Sequence, residues 1–178
     1  MIEYKNLPVL EGDDFILRPI KVEDTDLIVK WRNSEEVKSK FIFRSNFTQE
    51  MHLNWLETKV FTGDVIQYII EYKGTPVGSV YYQKFDEMNS SAEFGIFIGE
   101  NFCRGKGLGG RVTKSFKDFG HKQLGLHRVY LRVLAENIIA YKTYRKAGFN
   151  MDGIFRDMVK LDNKYCDVIF MSSIEDCN

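Results

Sequence analysis

Cysteine is scarce, net charge is absent and no long apolar run occurs in this 178-residue sequence, and each lack excludes a class of protein. The three cysteines, Cys103, Cys166 and Cys177, are an odd number without metal-ligand spacing. That argues against a disulfide framework and a zinc site, and fits a reducing compartment. Lys plus Arg and Asp plus Glu both total 25, so nothing draws the chain generally to nucleic acid or anionic membranes. No apolar stretch nears the ~20 residues that span a bilayer. The opening Met1-Ile2-Glu3-Tyr4-Lys5 lacks the apolar core of a secretory leader. Internal repeats, low-complexity tracts and linkers are also missing. The expectation is one cytoplasmic domain over residues 1–178, large enough for a full hydrophobic core.

What is present is a period that changes along the chain. Residues 15–20 read as a short strand closed by Pro19, and Leu27, Ile28 and Trp31 mark one face of a helix over 23–33. Thr48 is a good N-cap for a second helix, with Leu53, Leu56 and Val60 as its buried stripe. Residues 65–72 and 77–85 predict a hairpin around Lys73-Gly74-Thr75-Pro76, and 92–98 a further strand. Leu108, Val112, Phe116 and Phe119 predict a helix, Val129, Leu131 and Val133 a strand, and 137–147 a helix ended by Gly148. Two strands, 149–161 and 165–173, close the chain around Asp162-Asn163-Lys164. The order implies a mixed α/β (α+β) domain, with one largely antiparallel sheet and helices on its faces.

Residues 104–110, Arg-Gly-Lys-Gly-Leu-Gly-Gly, lie between a strand and a helix. Glycines let a backbone approach a ligand closely, and a helix beginning there offers unpaired N–H groups and its positive dipole end. With Arg104 and Lys106 this suits a phosphate. The P-loop pattern fails, because Lys106 is followed by Gly107 and not by a hydroxyl residue. The dinucleotide pattern at Gly105, Gly107 and Gly110 is formally present but sits mid-chain. It also lacks the acidic residue expected about 20 positions on. A third pattern is Arg104-x-x-Gly107-x-Gly109, followed by Asn137-x-x-Ala140-x-x-x-Tyr144-x-x-x-Gly148-Phe149.

This pair, spaced across roughly 45 residues, resembles the acetyl-CoA signature of the GNAT N-acetyltransferase superfamily. Gly148-Phe149, Gly153, Phe155-Arg156 and Tyr165-x-Asp167-Val168 resemble its ribosomal-protein branch. Trp31-Arg32-Asn33, Phe47-Thr48 and the helix around Trp55 are similar to bacterial aminosugar N-acetyltransferases, down to those acetylating a UDP-linked 4-amino sugar in pseudaminic acid biosynthesis. The resemblance implies a GNAT-like fold, a central mostly antiparallel sheet of six to seven strands flanked by about four helices. It implies acetyl-CoA as cosubstrate, no metal, and direct attack by an amine in a ternary complex.

On this resemblance, Arg104, Gly105, Lys106, Gly107, Leu108, Gly109 and Gly110 hold the pyrophosphate. The backbone of Ile96, Phe97 and Ile98 pairs with the pantetheine arm between two splayed strands, and an N–H of Phe97 or Ile98 faces the oxyanion. Tyr144 occupies the position of the general acid for the thiolate, although its helix face also fits plain packing. Asn137 touches the cosubstrate or caps a helix. Glu93, on the strand face of Phe97, is the base, with a water chain as the other route. His121 reads as a surface or helix-dipole contact, and nothing marks Cys103 as a nucleophile.

For the acceptor, Trp31, Arg32, Asn33, His52 and Tyr82, with Phe41, Phe43 and Trp55, form an aromatic and polar lining suited to a sugar and a nucleotide base. Packing of two helices would equally use the tryptophans. Arg32 suits a nucleotide diphosphate or an ion pair. The implied partner is a small-molecule amine, foremost the 4-amino group of a UDP-linked amino sugar, and a homodimer is a compatible assembly. A ribosomal-protein N-terminus or a polyamine is the alternative, though Asp24, Asp26, Glu35 and Glu36 do not cluster as a polyamine pocket would require. A non-catalytic acyl-CoA sensor and a nicotinamide-dinucleotide enzyme are the readings from other classes.

Overall fold

The computed structural model describes residues 3–175, so Met1, Ile2 and Cys177 of the sequence reading lie outside the described residues. Eight strands form one sheet. They are β1 (Leu10–Glu11), β2 (Phe15–Pro19), β3 (Ile66–Tyr72), β4 (Thr75–Asp86), β5 (Ser91–Ile98), β6 (Arg128–Leu134), β7 (Asn150–Leu161) and β8 (Lys164–Ile174). Their spatial order is β1-β2-β3-β4-β5-β6-β8-β7, and every neighbouring pair is antiparallel except β5–β6. The strand beyond the expected seven is β1, two residues long and too short to show a period. Helices α1 (Thr25–Asn33), α2 (Glu35–Lys38) and α3 (Gln49–Trp55) precede β3, α4 (Leu108–Lys122) joins β5 to β6, and α5 (Ile138–Lys146) joins β6 to β7. Among the described residues no helix is long and apolar enough to cross a membrane.

Strand alternation sends side chains into two cores, one on each face of the sheet. Tyr68, Val80, Tyr82, Phe94 and Leu131 pack with Val112 and Phe116 of α4 and Phe149. Ile69 and Phe97 face the other way, onto Ile28, Trp31, Leu56 and Val60. Leu108, Val112, Phe116 and Phe119 are all buried, as their spacing predicts. The Asn137 side chain accepts from Ala140 N–H at 3.3 Å to start α5, and Gly148 ends it at φ 97°. His121 is buried, with Nδ1 2.7 Å from Leu126 O and Nε2 3.0 Å from Ser173 Oγ, so it clasps the end of α4 and is not a surface contact.

Two expectations change in detail. The β3–β4 turn is only Lys73 and Gly74, both with positive φ, because this two-residue geometry matches the strand twist. Thr75 therefore pairs with Tyr72, and Pro76 lies in the strand beside a bulge. In the second helix the N-cap is Thr48, whose hydroxyl accepts from Met51 N–H at 3.2 Å. Leu53, however, is 39% exposed, and the buried positions are His52, Leu56 and Val60. The helix continues over Leu56–Val60 as a wider π turn, which moves the buried stripe to a spacing of four.

His52 is thus a core residue. Its Nδ1 lies 3.0 Å from Thr25 Oγ1, whose own proton goes to Val22 O at 2.7 Å. Nδ1 therefore carries the ring proton, and Nε2 is buried without a partner among the described residues. Burial lowers the imidazole pKa to about 4, against the opposing pull of Asp24. The folded state excludes a proton that the unfolded chain takes up below about 6.5. Stability contributed by neutral His52 is complete above that pH and is lost as pH falls from 6.5 toward 4. In urea unfolding across this range, wild type should lose up to roughly 1.4 kcal/mol per pH unit more than His52→Leu. Equal pH dependence of the two proteins would refute this.

Candidate functional site

The β5–β6 ladder consists of Ser91–Arg128, Ala92–Val129 and Glu93–Tyr130. Beyond Glu93, β5 remains paired to β4 through Ile98, and β6 remains paired to β8 through Leu134, so the two strands diverge into an opening. Gly99 N–H donates to Val77 O of β4 at 2.7 Å. Since strand N–H directions alternate, Phe97 N–H also faces β4, whereas the N–H and C=O groups of Ile96 and Ile98 face the opening. This corrects the expectation for Phe97: its polar backbone is turned away, and its ring packs on Trp31 and Phe41.

The glycine loop sits at the end of that opening. Gly105 and Gly107 have φ of 73° and 72°, a conformation that side chains disfavour, and Gly107 begins α4. The first bonds inside the helix are Gly110 N–H and Arg111 N–H to Gly107 O, which leaves the amides of Leu108 and Gly109 ahead of them for an anion. A Cβ at Gly109 would meet nothing within 4 Å, so that face is open. Arg104 is not an outward charge: its Nη2 donates to Ile98 O at 3.0 Å and ties the loop to β5. Arg111 braces the loop from behind, with Nη1 on Lys106 O at 2.8 Å and Nη2 on both Asp14 oxygens at 2.9 Å. Lys106 stays exposed at the rim. Cys103 is buried, its thiol pKa raised by that burial, which suits packing and not nucleophilic attack.

Tyr144 of α5 meets Phe94 of β5 edge-on, with ring centroids 6.2 Å apart. Among the described residues none hydrogen-bonds its hydroxyl. Burial, and then Tyr81, raise its pKa, so the phenol keeps its proton at neutral pH. Tyr81 pairs with Gly95 across the β4–β5 ladder, and a Cβ on Gly95 would lie 2.3 Å from the Tyr81 ring. Its hydroxyl likewise has no hydrogen-bond partner among the described residues.

Glu93 is 4% exposed and accepts from Arg132 Nε at 2.6 Å, Lys84 Nζ at 2.9 Å and Gln83 Nε2 at 3.3 Å. Burial pushes its carboxyl up, but Arg132 and Lys84 overcome this and hold it below the ordinary value. Lys84 reaches it because the β4–β5 register shifts after Gln83, where Lys84 takes a φ of 53°. Nothing local in the sequence announces Tyr81, Lys84, Arg132, Arg111 or Asp14, because their partners come from distant segments.

The expected acceptor lining separates. Trp31 is buried, its Nε1 donating to Glu100 Oε1 at 2.8 Å, and a Cβ on Gly99 would touch its indole. Asn33 clasps the Phe47 backbone, donating to O at 2.7 Å and accepting from N–H at 2.8 Å. Tyr82 lies in the core on the opposite face, stacked on Phe116 at 4.6 Å with its hydroxyl on Phe116 O. Alternation makes Tyr81, not Tyr82, the tyrosine on the Phe97 side. His52 is sealed between α1 and α3. Arg32 keeps an accessible polar end: its guanidinium lies 3.6 Å over the Phe41 ring, and among the described residues no carboxylate pairs with it. Among the described residues no group of three or more His, Cys, Asp or Glu is placed to hold a metal ion.

Comparison with known proteins gives a match of residues 14–150 to the acetyltransferase (GNAT) domain. The spermidine N(1)-acetyltransferase of Escherichia coli strain K12 is 29% identical over 156 residues, covering 87% of this chain and 83% of that protein. The uncharacterized N-acetyltransferase p20 of Bacillus licheniformis is 26% identical over 175 residues, covering 95% and 97%. The spermidine N-acetyltransferase of Vibrio cholerae, solved with CoA and spermine, superposes with a TM-score of 0.86 at 22% identity, covering 92% of this chain and 96% of that one. It has the same fold.

The ion pairing of Glu93 is directly testable. Arg132→Met should raise the Glu93 carboxyl pKa and cost on the order of 2 kcal/mol of stability. Carbon NMR titration of the carboxyl with thermal unfolding reads both, and an unmoved Glu93 titration contradicts the pairing.

Proposed function

We propose, from the premise that the chain belongs to the acetyltransferase (GNAT) domain family and is an N-acetyltransferase, that acetyl-CoA is its donor and a primary amine of a small molecule its acceptor. The observation that carries the reading is the opening between β5 and β6, lined by the backbone edges of Ile96 and Ile98 and closed by the glycine loop. An extended amide-bearing arm fits there as a missing strand would, and a pyrophosphate fits at the amides of Leu108 and Gly109. Acetyl-CoA supplies an activated acetyl group.

The remaining work falls to residues of this chain. Of Phe97 and Ile98, only Ile98 has its N–H in the opening, aimed where a carbonyl oxygen gains charge. Tyr144 holds a proton for the departing sulfur, since burial keeps its phenol neutral. Glu93, kept ionised by Arg132 and Lys84, is a weak proton acceptor, so its part is to orient a water and to attract the positive charge developing on the amine.

For the acceptor, the names of the relatives support a polyamine, the alternative weighed above, over the UDP-linked amino sugar. Of the acids considered for a polyamine, Asp24 is held by Arg18 through both oxygens and Asp26 accepts from Gln49. A second reading, an amine that also bears an anion, has the unpaired Arg32 in its favour.

Thiol release should be measured with acetyl-CoA and spermidine, a UDP-linked 4-amino sugar or an N-terminal peptide. Turnover is expected with at least one of them. Tyr144→Phe should lower kcat roughly 10²-fold with little change in the KM for acetyl-CoA. Tight acetyl-CoA binding with no turnover on any amine would replace this reading with that of a sensor.

A further inference from the structure

We propose that Arg32 and Tyr81 form a subsite for an anionic group, carboxylate or phosphate, on the acceptor. This rests on the acetyl-transfer reading and takes the second acceptor reading, an amine that also bears an anion, against the polyamine.

Six other arginines that are at least partly buried, Arg18, Arg44, Arg104, Arg111, Arg128 and Arg132, each donate to an oxygen of the protein. Arg32 does not. It is half-buried, lies 3.6 Å over Phe41 and 5.3 Å from Phe47, and offers its N–H fork to no described residue. Stacking fixes the plane of the guanidinium, so its edge is preset for a bidentate acceptor. Its partial desolvation lowers its pKa and strengthens its field, which a neighbouring anion would use and a polycation would oppose.

Position ties this charge to the reacting centre. Phe41, beneath the guanidinium, meets Phe97 at 5.7 Å, and Phe97 lies between the two residues whose backbone lines the opening. The Tyr81 ring lies over Gly95, two residues before Phe97 on β5, so it stands on the side of the sheet where Phe97 meets Phe41. Its hydroxyl, without a hydrogen-bond partner among the described residues, is a further donor on that side of the sheet. An acceptor fitting both ends carries its amine toward the opening and its anion toward Arg32.

The test compares matched acceptors in the thiol-release assay: a UDP-linked amino sugar against the free amino sugar, an amino acid against its amide, and spermidine. The anionic member of one pair should be preferred, and which pair responds distinguishes phosphate from carboxylate. Arg32→Met should raise the KM for that acceptor roughly tenfold or more, with the KM for acetyl-CoA unchanged. Arg32→Lys should restore part of the loss, and Tyr81→Phe should weaken the same acceptor. Preference for spermidine over every anionic amine, with Arg32→Met neutral or faster, overturns the proposal. Absence of turnover on any amine strikes the acetyl-transfer reading instead. The subsite is then read by titrating UDP and an N-acetyl amino acid into CoA-saturated protein: binding of either lost in Arg32→Met supports it, and no binding of either to wild type overturns it.

Discussion

Three residue pairs hold β5 against β6, and where that ladder stops the sheet contains two strands whose facing edges do not meet. Buried backbone groups seldom remain unpaired, so such a gap persists only when each strand is secured elsewhere. Here β4 secures β5 and β8 secures β6 along its whole length. The long helix α4 connects the parallel pair and must begin beside the mouth of the gap, which is why the glycine loop and the opening meet. Tyr144 arrives from the next helix, over Phe94, at the point of divergence.

The proposed donor side of this site is built mainly from backbone and the proposed acceptor side from side chains. Amides of Ile96, Ile98, Leu108 and Gly109 depend on strand divergence and helix geometry, which belong to the fold, and the fold is shared with a structure at 22% identity and a TM-score of 0.86. Arg32, Phe41 and Tyr81 depend on individual substitutions. A shared fold therefore carries the donor reading much further than the acceptor reading.

The same division decides what was legible in the sequence. Glycine conformations, the Asn137 and Thr48 caps and the α4 stripe are local, and their signals sit within a few residues. Tyr81 and Tyr82 are adjacent, so which one faces the α1 side depends on the register with β5, a long-range property. Leu53 gave way to His52 because a π turn changed the helical period. Burial of a helix face and exposure of an aromatic lining look alike in one dimension, so the sequence admits both for Trp31, which is buried. The Glu93–Arg132 ion pair joins residues 39 apart in the chain, and the lack of a carboxylate at Arg32 among the described residues is equally non-local.

One carboxylate joins the two halves. Glu100 accepts from Trp31 Nε1 at 2.8 Å and Lys30 Nζ at 2.7 Å, and it lies four residues before Arg104, which grips Ile98. The helix bearing Arg32 and the segment entering the glycine loop thus share a single mechanical anchor. Through this carboxylate the position of α1 and that of the segment entering the loop are fixed relative to each other.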